Sequence, residues 1–97
     1  MDQKFNRPKI ELKEHLLEFE ISHKILSLTR TQMNFNRTIN SLGVTHWIET
    51  QALKIYDIEI KINHGIFLAA AFALGFRYER IPNTPYVYFC IAKRSFS

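Results

Sequence analysis

The stretch INHGIFLAAAFALGFRYERIPNTPYVYFCIAKR, residues 62–94, decides the fold that the sequence predicts. It divides into an apolar helix and a hairpin of two aromatic strands. Asn63 can cap the helix, because its side-chain oxygen accepts hydrogen bonds from the first free N–H groups. Gly75 suits the left-handed residue that often follows a helix. Residues 66–74 carry no polar side chain, so we expect the helix to be buried on most sides, between the sheet and the N-terminal helix.

The hairpin follows from alternation on either side of a turn. Phe76, Tyr78 and Arg80 alternate with charged residues in a first strand that ends before the turn-forming tetrapeptide at 82–85. The return strand, residues 86–91, places Val87, Phe89 and Ile91 on one face, which we predict to be the core face. Tyrosines and Cys90 occupy its other face.

Residues 54–62 show a second alternation, with apolar side chains at Tyr56, Ile58, Ile60 and Ile62. The residues between them are charged. This period of two is typical of a strand with one solvent-exposed face. A strand is predicted here, with a small hairpin turning near residue 56 as the alternative.

Residues 9–33 form a helical segment in the prediction, after a flexible N-terminus at residues 1–8. Apolar residues fall on two opposed sides of this segment: Leu12, Leu16, Phe19, Leu26 and Met33 on one, and Ile10, Leu17, Ile21, Ile25 and Leu28 on the other. One alternative is a break near residue 21 into two helices that each bury one stripe. The other is a single helix whose uncovered stripe meets a partner or forms a homodimer with a second copy of the chain.

A turn-rich connection is predicted at residues 34–43, followed by a short helix at 46–52 that Thr45 caps and Trp47 and Ile48 anchor. Residues 44–97 then form a compact part, and residues 1–97 a single domain. The fold class is α+β: a long N-terminal helix or helix pair, a short helix, and a small antiparallel sheet whose C-terminal hairpin packs on a buried Ala-rich helix.

Composition narrows the function classes. The chain has 97 residues, a hydrophobic fraction of 46%, a net charge of +4 and one cysteine. A single cysteine allows no intramolecular disulfide, which indicates a reducing, cytoplasmic location. No secretory signal is recognised, and the longest apolar run, residues 66–74, is far shorter than the roughly 20 residues that span a bilayer. We therefore expect no membrane partner.

Candidate catalytic groups are few and scattered: His15, His23, His46, His64 and Cys90. The cysteine lies among aromatic and aliphatic residues, as a buried cysteine does. His15 and His23 are spaced too far apart for a two-ligand metal site on one helix turn. No nucleophile, base and orienting group can be recognised. We expect no enzymatic activity, no cofactor and no metal.

A binding surface is predicted instead on the hairpin, where aromatic and basic residues interleave. Its predicted contact residues are Tyr78, Arg80, Tyr86, Tyr88 and Arg94. A second basic patch is predicted from Lys24, Arg30 and Arg37. Such a surface fits a protein partner anchored by aromatic and arginine side chains. Single-stranded nucleic acid is the alternative, because bases stack on aromatic rings beside basic groups.

A resemblance covers roughly residues 45–95. It rests on Asn63-His64-Gly65, Leu68-Ala69-Ala70-Ala71, Gly75-Phe76, Tyr78, Arg80, Thr84-Pro85 and Tyr88-Phe89. With these residues the chain resembles short proteins carried by phages and prophages, a group that includes anti-CRISPR inhibitors and other host-takeover factors. The resemblance implies a non-enzymatic inhibitor that occludes a host protein or nucleoprotein machine, and it assigns no functional residue. A small DNA- or RNA-binding regulator is the alternative.

Overall fold

The computed structural model describes the backbone of residues 2–96 and the side chains of residues 15–96. Within those residues it contains the α-helices α1 (Asp2–Ser27), α2 (Ser41–Tyr56) and α3 (His64–Ala73) and the β-strands β1 (Thr31–Asn36), β2 (Tyr78–Arg80) and β3 (Val87–Ile91). A short 3-10 helix, Lys93–Phe96, follows β3. The strands form one antiparallel sheet in the order β1-β3-β2. The predicted α+β class is confirmed.

The core lies between the three helices and one face of the sheet. Leu26 of α1, Ile48 of α2 and Phe67 of α3 are completely buried there. The ring of Phe67 packs edge-on against the ring of Phe89 in β3, with the centroids 5.8 Å apart. Because α3 also packs along α1, it contacts both neighbours that the sequence predicted for it. The predicted core strand residues Val87, Phe89 and Ile91 are all buried.

Helix α3 is less buried than its composition predicts. Asn63 caps it as expected, accepting hydrogen bonds from the N–H groups of Gly65 and Ile66, and Gly75 has the predicted positive φ of 81°. However, only Phe67, Ala70 and Ala71 are buried. Phe72 is 44% exposed. Helix α3 thus packs against α1, α2 and the sheet, while the side that carries Phe72 stays exposed.

The predicted helix at residues 9–33 is shorter at its C-terminal end and does not break. Helix α1 is continuous through residues 21–22 and ends at Ser27, and β1 follows within the region predicted as helix and connection. The main-chain oxygen of Arg30 accepts a hydrogen bond from the N–H of Ala92, and Thr31 pairs with Ile91. The backbone of residues 2–8 belongs to α1; the predicted flexibility of residues 1–8 stays a prediction.

The strand predicted at residues 54–62 is wrong. Helix α2 continues to Tyr56, and residues 57–63 lack regular secondary structure. The predicted alternation is nevertheless present: Ile58 and Ile60 are half-buried and Ile62 is buried, while the charged residues between them are exposed. An extended segment that covers the core thus shows the same period as a strand, without pairing with one.

Carboxylates take the place of a neighbouring strand along this segment. The N–H of Ile62 donates to Oε2 of Glu49 in α2 at 2.7 Å. The N–H of Asn63 donates to Oε1 of Glu18 in α1. These bonds satisfy two main-chain donors just before α3 begins.

Helix α2 begins earlier than the predicted short helix. Its N-cap is Asn40, whose side chain accepts from the N–H of Gly43, and not Thr45. Thr45 is instead buried inside the helix, where its hydroxyl donates to the main-chain oxygen of Ser41. The predicted anchor Ile48 is completely buried, and the predicted anchor Trp47 is half-buried.

Candidate functional site

A cleft between α3 and the β2–β3 hairpin brings together part of the predicted contact surface. It has a volume of about 200 Å³ and is lined by Leu68, Phe72, Tyr78, Arg80, Thr84, Pro85, Tyr86 and Val87. We call it the hairpin cleft. Three of the eight predicted contact residues, Tyr78, Arg80 and Tyr86, lie in its wall.

The strand register builds this wall. Tyr78 pairs with Phe89, and Arg80 pairs with Val87. Because paired residues of an antiparallel ladder project to the same face, the side chains of Tyr78 and Arg80 lie on the face that α3 covers. They sit at its margin, since β2 is an outer strand of the sheet.

The turn that closes the cleft is fixed by its own hydrogen bonds. Asn83 has a positive φ of 64°, a conformation that asparagine tolerates better than most residues. The hydroxyl of Thr84 donates to the main-chain oxygen of Ile81 at 2.9 Å and accepts from the N–H of Tyr86 at 3.2 Å. The sequence PNTP at 82–85 therefore forms the predicted turn with a defined geometry.

Contacts between rings position the aromatic side chains. Phe72 and Tyr78 lie with their centroids 4.9 Å apart. Tyr86 meets the ring of His64 edge-on at 5.2 Å. These contacts reduce the freedom of the rings before any partner binds, which lowers the entropic cost of binding.

His64 is held in turn by Ser41. Its Nε2 lies 2.7 Å from the Ser41 hydroxyl oxygen, which also accepts the N–H of Val87 at 3.0 Å. Partial burial lowers the pKa of His64 from its ordinary value. The imidazole is therefore neutral at pH 7.

Arg80 supplies the charge of the cleft. Its side chain is exposed, and among the side chains from residue 15 to residue 96 it forms no ion pair. An unpaired guanidinium beside aromatic rings is a strong potential contact, because arginine and tyrosine are enriched among the residues that dominate binding energies.

The remaining predicted contact residues lie elsewhere. Tyr88 pairs with Glu79 and therefore occupies the opposite face of the sheet. There Glu79 accepts two hydrogen bonds from Arg37, each at 2.8 Å. This pair raises the pKa of Arg37 and lowers the pKa of Glu79. Since its charge is matched within the chain, Arg37 is a weaker candidate for an acidic partner.

The predicted second basic patch is not one patch. The ammonium of Lys24 lies over the ring of Tyr56, 5.3 Å from its centroid. Arg30 lies instead beside the C-terminal 3-10 helix, since its N–H donates to the hydroxyl of Ser95. Arg94 belongs to that 3-10 helix. Lys24, Arg30 and Arg37 are thus distributed over three places.

The sequence prediction missed Phe72, which it assigned to the core. Five helical positions separate it from Phe67, a rotation of about 140° around the axis. The two rings therefore point in different directions, and only one can face the core. That spacing was a usable signal, but the apolar composition of the helix concealed it.

Two larger depressions have less suitable linings. One of about 420 Å³ includes Arg77 and Cys90, and another of about 580 Å³ includes His46, Glu49 and Lys61. Cys90 is buried, and the carboxylate of Glu49 is already engaged by Ile62. Neither depression groups several aromatic rings around a charge that is unpaired among the described side chains, so the hairpin cleft is the stronger candidate for a binding site.

The Ser41–His64 contact is unsuited to nucleophilic catalysis. Ser41 has no exposed surface, so a substrate cannot reach its hydroxyl. Its oxygen is also occupied by the N–H of Val87. Among the described residues, no group of three or more His, Cys, Asp or Glu side chains could hold a metal ion.

No match to this chain was found among protein-family models, curated proteins or solved structures. None of the helices, over the residues that the structure describes, is both long and apolar enough to span a membrane.

Proposed function

We propose that this chain is a non-enzymatic binding protein that holds a protein partner at the hairpin cleft. The observation that supports this most is the grouping of Phe72, Tyr78 and Tyr86 around Arg80, which forms no ion pair with the side chains of residues 15–96. Phe72 and Tyr78 are 44% and 47% exposed, so a partner that covers them removes apolar area from water. Arg80 at the margin favours an acidic group on that partner.

The resemblance to phage-borne proteins suggests what the partner is. It implies a host protein or nucleoprotein machine. The chain would inhibit that partner by occluding a surface that the partner needs for its activity, as an anti-CRISPR inhibitor does. This part of the proposal rests on the resemblance and on no contact in the cleft.

Direct binding of single-stranded nucleic acid is the second candidate. Phe72 and Tyr78 could stack on bases while Arg80 contacts a phosphate. The separation of Lys24, Arg30 and Arg37 works against it, because a nucleic-acid groove needs several cations along one path. Arg37 is moreover engaged by Glu79.

Self-association through α1 is a separate proposal. The helix exposes Leu16 and Leu17, and Leu28 directly after its last residue is exposed as well, so these side chains leave an apolar surface among the described residues. We propose that a second copy of the chain covers it in a homodimer.

Capture from host lysate with matched variants tests the cleft. The bait proteins are the unchanged chain, Phe72→Ala, Arg80→Glu and Arg94→Glu, each checked by circular dichroism. Arg94→Glu is the control, because Arg94 is an exposed arginine outside the cleft. We expect proteins that resist nuclease treatment to be retained by the unchanged chain and Arg94→Glu and to be lost from the other two. Equal retention by all four folded baits would refute the role of the cleft.

The salt dependence of the captured complex separates the two candidates. A single strand held through three phosphates loses affinity about 20-fold between 50 and 200 mM salt, from a slope of about −0.7 per contact. A protein held mainly by aromatic contacts should change less than about threefold. A steep loss would favour the nucleic-acid alternative.

A further inference from the structure

The main chain of β2 is open along the outer edge of the sheet. The N–H of Ile81 donates to the main-chain oxygen of Tyr86, so residues 81 and 86 form a hydrogen-bonded pair in the antiparallel ladder. Such pairs alternate with pairs whose N–H and C=O groups point away from the partner strand. Tyr78 and Arg80 therefore direct both of their main-chain groups away from β3.

The middle strand independently supports this assignment. The N–H of Val87, opposite Arg80, turns away from β2 and donates to the hydroxyl of Ser41. Phe89, opposite Tyr78, pairs with Asn36 of β1 on that same far side. The main chain of residues 87 and 89 is thus engaged away from β2, and β2 presents residues 78 and 80 to its outer edge.

This edge adjoins the hairpin cleft. The side chains of Tyr78 and Arg80 line the cleft, while their main-chain groups point outward along the sheet. An extended peptide that pairs with β2 would therefore place the residues opposite Tyr78 and Arg80 on the α3 face. The residue between them would project to the opposite face, where Glu79 and Arg37 are already paired.

We propose that the partner segment is an extended acidic peptide that adds to the edge of β2 as a fourth strand, with an acidic and an apolar residue two positions apart. The acidic side chain meets Arg80, and the apolar one packs on Phe72 and Tyr78. This deepens the proposed function and rests on it. Main-chain hydrogen bonds then hold the peptide, and the cleft binds every second side chain of the peptide, which gives the selectivity.

The shortness of β2 limits the interaction. The strand has three residues, and Pro82 follows shortly after it without an N–H to donate. Only residues 78 and 80 offer main-chain groups to a new strand. Such an edge binds weakly without side-chain contacts, which makes the cleft necessary for affinity and selectivity.

The test is a titration of the ¹⁵N-labelled full chain, followed by NMR, with blocked peptides of about seven residues. The panel carries an aspartate and a phenylalanine two positions apart, in either order, on a threonine background. Each peptide has two controls: one with asparagine in place of aspartate, and one N-methylated at the residues that pair with β2. N-methylation removes main-chain donors and keeps the side chains. The protein variants are Arg80→Glu, Phe72→Ala and the control Arg94→Glu.

We expect at least one peptide order to bind and to shift the amide resonances of Tyr78 and Arg80. Asparagine, N-methylation, Arg80→Glu and Phe72→Ala should each weaken binding about tenfold, equivalent to about 1.4 kcal/mol. Arg94→Glu should change it less than about twofold.

Several results would overturn the proposal. One is the absence of binding across the panel at millimolar concentration. Another is equal binding of N-methylated and parent peptides with sensitivity to Phe72→Ala, which leaves the cleft as a binding site but removes strand addition. A third is a shift of the Tyr78 and Arg80 amides on concentrating the chain alone, which would assign the edge to a second copy.

Discussion

Glu18 shows what a single buried carboxylate contributes to this fold. It lies in α1 with almost no exposed surface, and it accepts the N–H of Asn63, the residue that caps α3. His15, one helical turn earlier, lies 3.0 Å from its other oxygen. Through this side chain, α1 fixes where α3 begins. Glu49 of α2 likewise accepts a hydrogen bond from the N–H of the preceding residue, Ile62.

Removing the Glu18 acceptor should destabilise the chain. Glu18→Ala removes the acceptor of a partly buried hydrogen bond from the N–H of Asn63, and we expect the free energy of unfolding to fall by about 1 kcal/mol. Glu18→Gln keeps an oxygen and should lose less. Urea denaturation measures both. Glu20→Ala, at an exposed site on the same helix, serves as the control with a change within about 0.5 kcal/mol. Equal loss from Glu18→Ala and Glu20→Ala would contradict the role of Glu18.

Ser22, unlike Glu18, carries a buried polar group that forms no hydrogen bond among the described residues. It is completely buried in α1, and its hydroxyl has no hydrogen-bond partner among the described residues. The small serine side chain thus fits a position where neighbouring elements cover α1, but its hydroxyl is left as an unsatisfied donor.

Ser22→Ala should therefore stabilise the chain. It removes the unsatisfied hydroxyl without adding volume, and we expect the free energy of unfolding to rise by about 1 kcal/mol. Ser22→Leu overfills the site and should lower it by about 1–3 kcal/mol. Thermal and urea unfolding report both changes. The exposed Ser27→Ala is the matched control; a loss of stability in Ser22→Ala would show that the hydroxyl has a partner.

At the scale of elements, α1 leaves part of its apolar surface uncovered. Leu28, directly after the last residue of α1, is 69% exposed and borders a groove with Trp47 and Ile55 of α2. Leu17 is 44% exposed and borders a second groove with Tyr56. The two stripes predicted for this helix are therefore neither both buried nor separated by a break. The side facing α2 and α3 is buried, and leucines remain outside.

The exposed Leu17 of α1 and Leu28 directly after it lead us to expect a concentration-dependent homodimer. Leu17→Glu and Leu28→Glu should shift the equilibrium to monomer without changing the melting temperature appreciably, because neither side chain is in the core. Sedimentation velocity from low to high micromolar concentration measures this. Leu53→Glu on α2, 51% exposed, is the control. If the unchanged chain stays monomeric over the whole concentration range, the dimer proposal is wrong.

At the scale of the whole molecule, Ser41 and His64 join three elements. Ser41 begins α2, His64 begins α3, and Val87 begins β3. Their hydrogen bonds meet at one hydroxyl. Strand β1 ends opposite Phe89, so the Ser41 hydroxyl, and not a further β1 residue, accepts the hydrogen bond from the N–H of Val87. Through this bond and the contact with His64, the hydroxyl links the hairpin to α2 and α3.

This junction should make stability depend on pH. The folded-state pKa of His64 is lowered by burial, so the unfolded chain takes up a proton at a higher pH than the folded chain. Stability is then complete above the unfolded pKa of about 6.5 and is lost as pH falls through the lowered folded pKa. Urea midpoints at pH 7.5, 6 and 5 measure the loss.

His64→Gln provides the comparison, because glutamine offers an acceptor for Ser41 and does not titrate in this range. The other histidines contribute equally to both proteins. We expect the midpoint of the unchanged chain to fall further with acidification than that of His64→Gln. Parallel curves for the two proteins would exclude His64 as the source.

Local signals in the sequence were enough for several elements. The Asn63 cap, the left-handed Gly75, the turn at 82–85 and the core face of β3 all follow from side-chain chemistry within a few residues. The burial pattern of residues 57–62 was also predictable, because alternation records which side faces the core. These features depend on neighbours in the chain, and so one sequence suffices to find them.

Tertiary structure alone decided the rest. Residues 31–36 pair with β3 as a strand, although the sequence predicts the end of a helix at 31–33 and a turn-rich connection from residue 34. Residues 57–63 pair with no strand, and side chains of two helices, Glu49 and Glu18, accept the main-chain donors of Ile62 and Asn63. The contact surface divided for the same reason: strand register placed Tyr78 and Arg80 on one face and Tyr88 on the other. The sequence determined that residues 62–94 form an apolar helix and an aromatic hairpin, and packing determined that Phe72 joins that hairpin in an open cleft.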